Sequence, residues 1–137
     1  MAFPDVQIVF WHTLVAMVAM QVIGHVWYGP LFGKLWMKLA GIKKMNMAGG
    51  KMAGVIVTAM VVNILTAYIL AHFLAYADAT TFMDGVTVAF WLWLGFMMPL
   101  QLGKVLWEGK SVKLFVLLTA YDLVALSVAA KVLIALG

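Results

Sequence analysis

Long stretches without charge divide the chain into four apolar segments. Three of these segments contain no formal charge, and after Lys113 the fourth is interrupted only by Asp122 and Lys131. A bilayer core of about 30 Å is crossed by roughly 20 apolar residues in a helix. We therefore predict four transmembrane helices, over residues 8–28, 53–76, 86–103 and 112–136.

The apolar positions do not alternate with the period of two that a membrane β-barrel requires. Backbone hydrogen bonds inside a bilayer must then be made within helices. Short connections make consecutive helices antiparallel neighbours. The predicted fold is an all-α, up-down, four-helix membrane bundle that forms a single transmembrane domain of residues 1–137.

The connection between the first two helices is the longest and carries an amphipathic pattern. Large apolar side chains recur there at helical spacing beside lysines, which is typical of a helix lying in the membrane interface. The residues of this pattern are Leu31, Lys34, Leu35, Trp36, Lys38 and Leu39. A short interfacial helix and a plain lysine-rich loop both explain it.

Composition and charge agree with lipid as the solvent of this chain. Hydrophobic residues make up 66% of the sequence and charged residues 10%, whereas soluble domains carry about 25% charged residues. The absence of cysteine excludes disulfides and thiolate metal sites. Nucleic-acid binding is disfavoured because it needs a basic stripe on a folded polar face.

The lysines predict the orientation of the bundle. Five lie in the first connection and three in the third, so eight of the nine lysines are on one side. Positively charged loops stay in the cytoplasm, so we expect both termini to lie outside.

A run of aromatic and small residues follows the first predicted helix. Its residues are Trp27, Tyr28, Gly29, Pro30, Leu31, Phe32, Gly33, Lys34, Leu35 and Trp36. The run resembles the signature of a bacterial membrane family catalogued only as a domain of unknown function. The resemblance extends over nearly the whole chain and implies a small four-helix protein of the bacterial cytoplasmic membrane. It implies no activity.

The residue types of this motif suit the point at which a helix leaves the membrane. Trp27, Tyr28 and Trp36 suit interface anchors with their polar tips towards headgroups. The glycines and Pro30 suit a turn, and Lys34 can extend to the headgroups. Binding of a headgroup or a substrate is the alternative role for the same residues.

Four polar residues lie within the predicted spans, where each is unfavourable unless it has a partner. These residues are Gln21, His25, Asn63 and Asp122. Interhelical hydrogen bonds that fix the packing would explain them. A ligand or proton site is the alternative, most of all at Asp122, for which Gln21, His25 and Asn63 are the expected partners by depth.

Small residues and a proline recur every four positions in the third helix, at Gly95, Pro99 and Gly103. Pro99 removes a backbone hydrogen bond and should kink the helix. The glycines would let a neighbouring helix approach closely, which makes this face a candidate contact between chains.

Three classes of function remain open. The leading interpretation is a non-enzymatic protein of the lipid bilayer that acts through helix packing, as a homo-oligomer or as an accessory subunit of a larger membrane complex. The alternative is a small transporter or channel with a polar pathway at the midplane. A membrane enzyme acting on lipid or quinone is third. No catalytic motif is apparent, and no cofactor or metal is predicted.

Overall fold

The computed structural model describes residues 6–41 and 50–137, and these residues are almost entirely helical. No strand occurs within the described ranges. The helices are α1 (Phe10–Val26), α2 (Gly33–Ala40), α3 (Gly50–Tyr76), α4 (Phe82–Leu92), α5 (Met98–Glu108) and α6 (Val112–Leu136).

Two wide, π-helical turns extend these helices. The turn Trp27–Leu31 continues α1, and its backbone leaves the helical region at Gly29, where φ is −111° and ψ is −107°. The turn Trp93–Met97 joins α4 to α5, and Pro99 follows it in the first turn of α5.

Four segments are long and apolar enough to cross a membrane. The first span is Phe10–Leu31, the second Met52–Tyr76, the third Phe82–Glu108 and the fourth Val112–Leu136. The prediction of an all-α, four-helix, multi-pass membrane protein is confirmed. The short helix expected between the first two spans is present as α2.

The third span is longer at both ends than the predicted residues 86–103. Its start is fixed by a capping box, in which Thr81 Oγ1 accepts a hydrogen bond from the Asp84 amide at 3.1 Å and Asp84 Oδ2 accepts one from the Thr81 amide at 3.0 Å. Asp84 therefore belongs to the helix rather than to the loop. The span ends at Gly109, whose φ of 67° suits a residue without a Cβ.

The fourth span is the centre of the bundle. It packs against the first and third spans along much of its length and also contacts the second span and α2. The second span packs chiefly on the first. The principal neighbour order is therefore second, first, fourth, third.

Alanines form the most tightly packed layer of the core. Each span contributes at least one fully buried alanine, and together these residues are Ala16, Ala67, Ala89, Ala129 and Ala130. Small side chains let membrane helices approach closely, so dispersion contacts replace the hydrophobic drive that lipid cannot supply. This layer lies in the half of the bundle that is remote from α2 and from the α5–α6 connection. We call this half of the bundle the tight half.

The second span is buried only in the tight half. Its buried residues are Ala67, Leu70 and Leu74, whereas no residue between Met52 and Thr66 is buried. The first and second spans therefore separate towards the opposite end of the bundle. We call this end, which carries α2 and the α5–α6 connection, the lysine-rich end.

A cavity between the first and second spans

The separation of the first two spans forms a cavity of about 490 Å³. It begins near Gln21 and Asn63 and extends along α1 to Tyr28 and to Trp36 of α2. Gln21 and Tyr28 are seven residues apart, or about 10 Å along a helix. The cavity therefore reaches from the middle of the first span to its lysine-rich end.

A hydrogen bond between two amides closes the inner end of the cavity. Asn63 Nδ2 donates to Gln21 Oε1 at 2.7 Å, which links the second span to the first. The remaining amide groups, Gln21 Nε2 and Asn63 Oδ1, have no hydrogen-bond partner among the described residues. This pair therefore stabilises the packing and still offers one donor and one acceptor to the cavity.

His25 lies one helical turn from Gln21 and also lines the cavity. Within residues 6–41 and 50–137 its ring makes no hydrogen bond. An imidazole without a protein partner can donate through one nitrogen and accept through the other. Three of the four predicted midplane residues, Gln21, His25 and Asn63, therefore share one site.

An aromatic cluster forms the lysine-rich end of the cavity. The Tyr28 ring lies 4.9 Å from the Trp36 ring and 5.1 Å from the Tyr121 ring, measured between centroids. A Cβ added at Gly24 would lie only 3.1 Å from Tyr121 Oη, so the glycine lets this hydroxyl lie directly on α1. Tyr121 thus connects the fourth span to the motif.

The motif folds α2 back onto this cluster. Trp27 packs on Phe32 at 4.8 Å and faces Tyr121 at 6.1 Å, again between ring centroids. A Cβ added at Gly33 would lie 2.8 Å from the Tyr28 carbonyl oxygen, so a glycine is needed where α2 begins. Tyr28, Gly29 and Trp36 of the motif therefore line the cavity, and Trp27 and Phe32 pack together beside it.

The expected orientation of Trp27 is wrong. Its Nε1 is buried and has no hydrogen-bond partner in the described part of the chain, so the polar tip does not face headgroups. Packing against Phe32 and Tyr121 turns the ring into the bundle. Lys34 is exposed, as its predicted role requires.

Asp122 does not share the cavity with the other midplane residues. Its Oδ2 accepts a long hydrogen bond of 3.5 Å from Gln101 Nε2 of the third span. Lys104 adds an electrostatic attraction to the same carboxylate. The partners expected by depth are therefore not the ones to which Asp122 is hydrogen-bonded, because its amide partner lies on the third span. The carboxylate also interacts electrostatically with Tyr28 and Tyr121.

Gly95 and Gly103 of the third span do not pack against the described part of the chain. No heavy atom of the described residues lies within 4 Å of a Cβ added at either glycine, and Pro99 is exposed. The close approach is made at Gly85 instead, where an added Cβ would lie 2.5 Å from Ile134 Cδ1 of the fourth span.

Three residues that shape the interior are not among the predicted site residues. Tyr121 and Gln101 contact predicted site residues, and Trp93 Nε1 donates to the Thr119 carbonyl oxygen at 2.8 Å. Tyr121 precedes the buried Ala125 by one helical turn, a spacing that marks it as inward-facing. Gln101 is a polar residue in the third span. An amide without a partner is unfavourable in lipid, so its presence there indicates a hydrogen-bond partner inside the bundle.

These features define a class of protein, namely a small multi-pass membrane protein with a cavity between its first two spans. The chain belongs to the family described as a protein of unknown function, DUF1761, which matches residues 11–134. The expected resemblance to a domain of unknown function is confirmed. No curated protein and no solved structure matches the chain.

Proposed function

We propose that the protein binds an uncharged amphipathic molecule of the membrane in the cavity between the first and second spans. The observation that carries this proposal is the lining of the cavity, which joins unpaired hydrogen-bonding groups to an apolar wall and, among the described residues, contains no charged side chain. The cavity volume lies within the roughly 300–1,000 Å³ typical of small-molecule sites.

The polar groups support ligand binding more strongly than packing alone. A polar group at membrane depth is unfavourable without a partner, and such groups commonly mark functional sites. Here the His25 ring, Gln21 Nε2 and Asn63 Oδ1 lack hydrogen-bond partners among the described residues. A ligand with hydrogen-bonding groups would satisfy them.

The lining also restricts the charge of the ligand. A phosphate or carboxylate head is recognised by charge-assisted hydrogen bonds from lysine or arginine. In the part of the chain that the structure describes, none of the residues that line the cavity carries a formal charge. An uncharged head is therefore the better match.

Filling the cavity should remove the ligand. Ala59 lines the cavity, whereas Val61 of the same helix is 59% exposed and does not line it. We expect native mass spectrometry after detergent exchange to find one uncharged molecule retained by the wild type and by Val61→Trp. Its occupancy should fall at least about tenfold in Ala59→Trp, a loss of about 1.4 kcal/mol or more in binding. Equal retention by both variants, or no retained molecule in the wild type, would contradict the proposal.

A transport function remains the alternative for the same residues. Transport needs openings on both sides of the membrane, and in this structure the tight half closes the cavity beyond Gln21 and Asn63. A separate cavity of about 350 Å³ lies at the opposite end of the bundle, where His12, Ala71 and Leu133 are among its lining residues. Binding without passage accounts for two cavities that the buried alanines keep apart. Ion- or proton-dependent flux in liposomes would favour transport instead.

The second proposal is that the protein acts as an oligomer or as an accessory subunit through the outer face of the third span. On this face Phe96 and Leu100 are 69% and 74% exposed, and both Gly95 and Gly103 have open space at the Cβ position. Glycines that pack against nothing within their own chain are suited to a close helix contact with another chain.

A large side chain at Gly95 should weaken that contact. We expect wild-type protein in mild detergent to be larger than a monomer by light scattering, and Gly95→Leu to shift it towards the monomer. Gly54→Leu is the matched control, since Gly54 also has open space around it but lies on the second span. A monomeric wild type, or an unchanged size for Gly95→Leu, would exclude this face.

We also propose that the lysine-rich end faces the cytoplasm, because eight of the nine lysines fall in two stretches of the sequence, residues 34–51 and 104–113, and positively charged stretches beside membrane spans stay in the cytoplasm. The chain has no cysteine, so single-cysteine variants can be read without background. An impermeant thiol reagent should label Ala77→Cys in intact cells and label Lys110→Cys only after lysis. The reverse pattern would invert the orientation.

A further inference from the structure

We infer that the head of the bound molecule is a flat, uncharged ring carrying two hydrogen-bond acceptors, the chemistry of a membrane quinone. This inference rests on the proposed function and specifies its ligand. Three features of the cavity lead to it, namely the aromatic end, the unpaired donors and the shape of the apolar wall.

The aromatic end suits a flat ring. Tyr28, Trp36 and Tyr121 all line the cavity, and the Tyr28 ring is inclined by 60° to both of the others. Inclined rings at about 5 Å present both faces and edges to a fourth ring, and aromatic pairs prefer offset-stacked or edge-to-face contacts. An aliphatic glycerol head gains no comparable contact.

The donors suit two acceptor oxygens. The hydroxyls of Tyr28 and Tyr121 make no hydrogen bond to the described residues, and the same is true of the His25 ring. His25 and Tyr28 are three residues apart on the first span, and the Tyr121 hydroxyl lies against Gly24 beside them. Donors from two spans therefore converge on one end of the cavity, and a quinone has two carbonyl oxygens to accept from them.

The apolar wall suits a long tail. Met52, Val55, Ile56, Ala59 and Val62 line the cavity at the spacing of one helix face. From Met52 to Val62 this stripe extends about 15 Å along the helix. Methionine side chains adapt to irregular shapes, so Met20 and Met52 can accommodate a branched isoprenoid chain.

The experiment compares two uncharged amphipaths on the purified protein in nanodiscs. The probes are a short-tailed ubiquinone and dioctanoylglycerol, and binding is measured by calorimetry against protein-free discs. We expect saturable binding of the quinone and none of the diacylglycerol. The double variant Tyr28→Phe/Tyr121→Phe keeps both rings and removes both hydroxyls, and it should bind the quinone about tenfold more weakly.

Tyr68→Phe is the matched control, because Tyr68 lies on the second span outside the cavity. It should bind the quinone as the wild type does. Equal weakening by Tyr68→Phe, or an unchanged affinity of the double variant, would overturn the role of the two hydroxyls and with it the inference.

The outcomes separate this inference from the proposal on which it rests. Binding of diacylglycerol without binding of quinone would overturn the ligand class and leave the cavity as a site. Quinone binding that persists in Ala59→Trp would show partition into lipid and overturn the inference. Absence of binding of either probe, together with no retained molecule in native mass spectrometry, would overturn both.

Discussion

Gly85→Leu should force the third span away from the fourth and lower the free energy of unfolding by about 1–3 kcal/mol or more, the usual range for overpacking. Even a single Cβ at Gly85 would lie 2.5 Å from Ile134 Cδ1 and 3.4 Å from Ala130 Cβ. The end of Ile134 can move aside for a methyl group, so Gly85→Ala should have a much smaller effect. A leucine extends beyond that reach into the fully buried Ala130.

Thermal unfolding in detergent, followed by circular dichroism, measures this effect. Gly54→Leu is again the matched control, since a Cβ at Gly54 meets no heavy atom within 4 Å. Both variants add the same side chain to a helix, so helix propensity cancels in the comparison. An equal loss of stability for Gly54→Leu and Gly85→Leu would contradict the close contact between the third and fourth spans.

Tyr121→Ala should have the second large effect, because this ring joins the fourth span to both Trp27 and Tyr28. Truncation of a fully buried aromatic residue costs about 3–5 kcal/mol, and we expect about 2 kcal/mol here because Tyr121 is half-buried. Without the ring, Tyr28 loses one of its two aromatic neighbours and α2 loses support.

Hydrogen exchange measured by mass spectrometry should detect the release of α2. Amides of Gly33–Ala40 should exchange faster in Tyr121→Ala than in the wild type, whereas those of α4 should not change. Tyr121→Phe keeps the ring and should exchange as the wild type does. Unchanged exchange across α2 in Tyr121→Ala would show that the helix is held by other contacts.

The four spans could be predicted because charge alone separates them, but their ends depend on local chemistry. The predicted start of the third span at residue 86 is too late, because a span defined by the uncharged run excludes Asp84. Thr81 and Asp84 are three residues apart, the spacing of a capping box, and this signal places the helix start at Phe82. Hydropathy does not register such a signal.

The site was predicted in part, because position along a helix gives the depth of a residue but not its neighbours. Gln21 and Asn63 were expected at the same depth, and they do form a hydrogen bond. Asp122 has a similar depth and yet contacts Gln101, since the fourth span presents that residue to the third span. Only the neighbour order of the helices decides between these partners.

The aromatic motif shows a second reason why side-chain positions could not be predicted from the sequence. Tryptophan and tyrosine suit both the membrane interface and the protein interior, because each has an apolar body and one polar group. The choice for Trp27 and Tyr28 depends on Tyr121, which lies more than 90 residues further along the chain. No local pattern around the motif contains that information.

The uneven burial of the second span leaves one end of this helix able to tilt. Its buried residues lie between Ala67 and Leu74, and the hydrogen bond from Asn63 to Gln21 ties it to the first span. Eleven residues separate Asn63 from Met52, a length of about 16 Å, and a tilt of about 5° at Asn63 moves the far end by about 1.4 Å. Such a tilt widens the mouth of the cavity while the alanine layer stays packed. A molecule dissolved in one leaflet could thus enter sideways without the bundle coming apart.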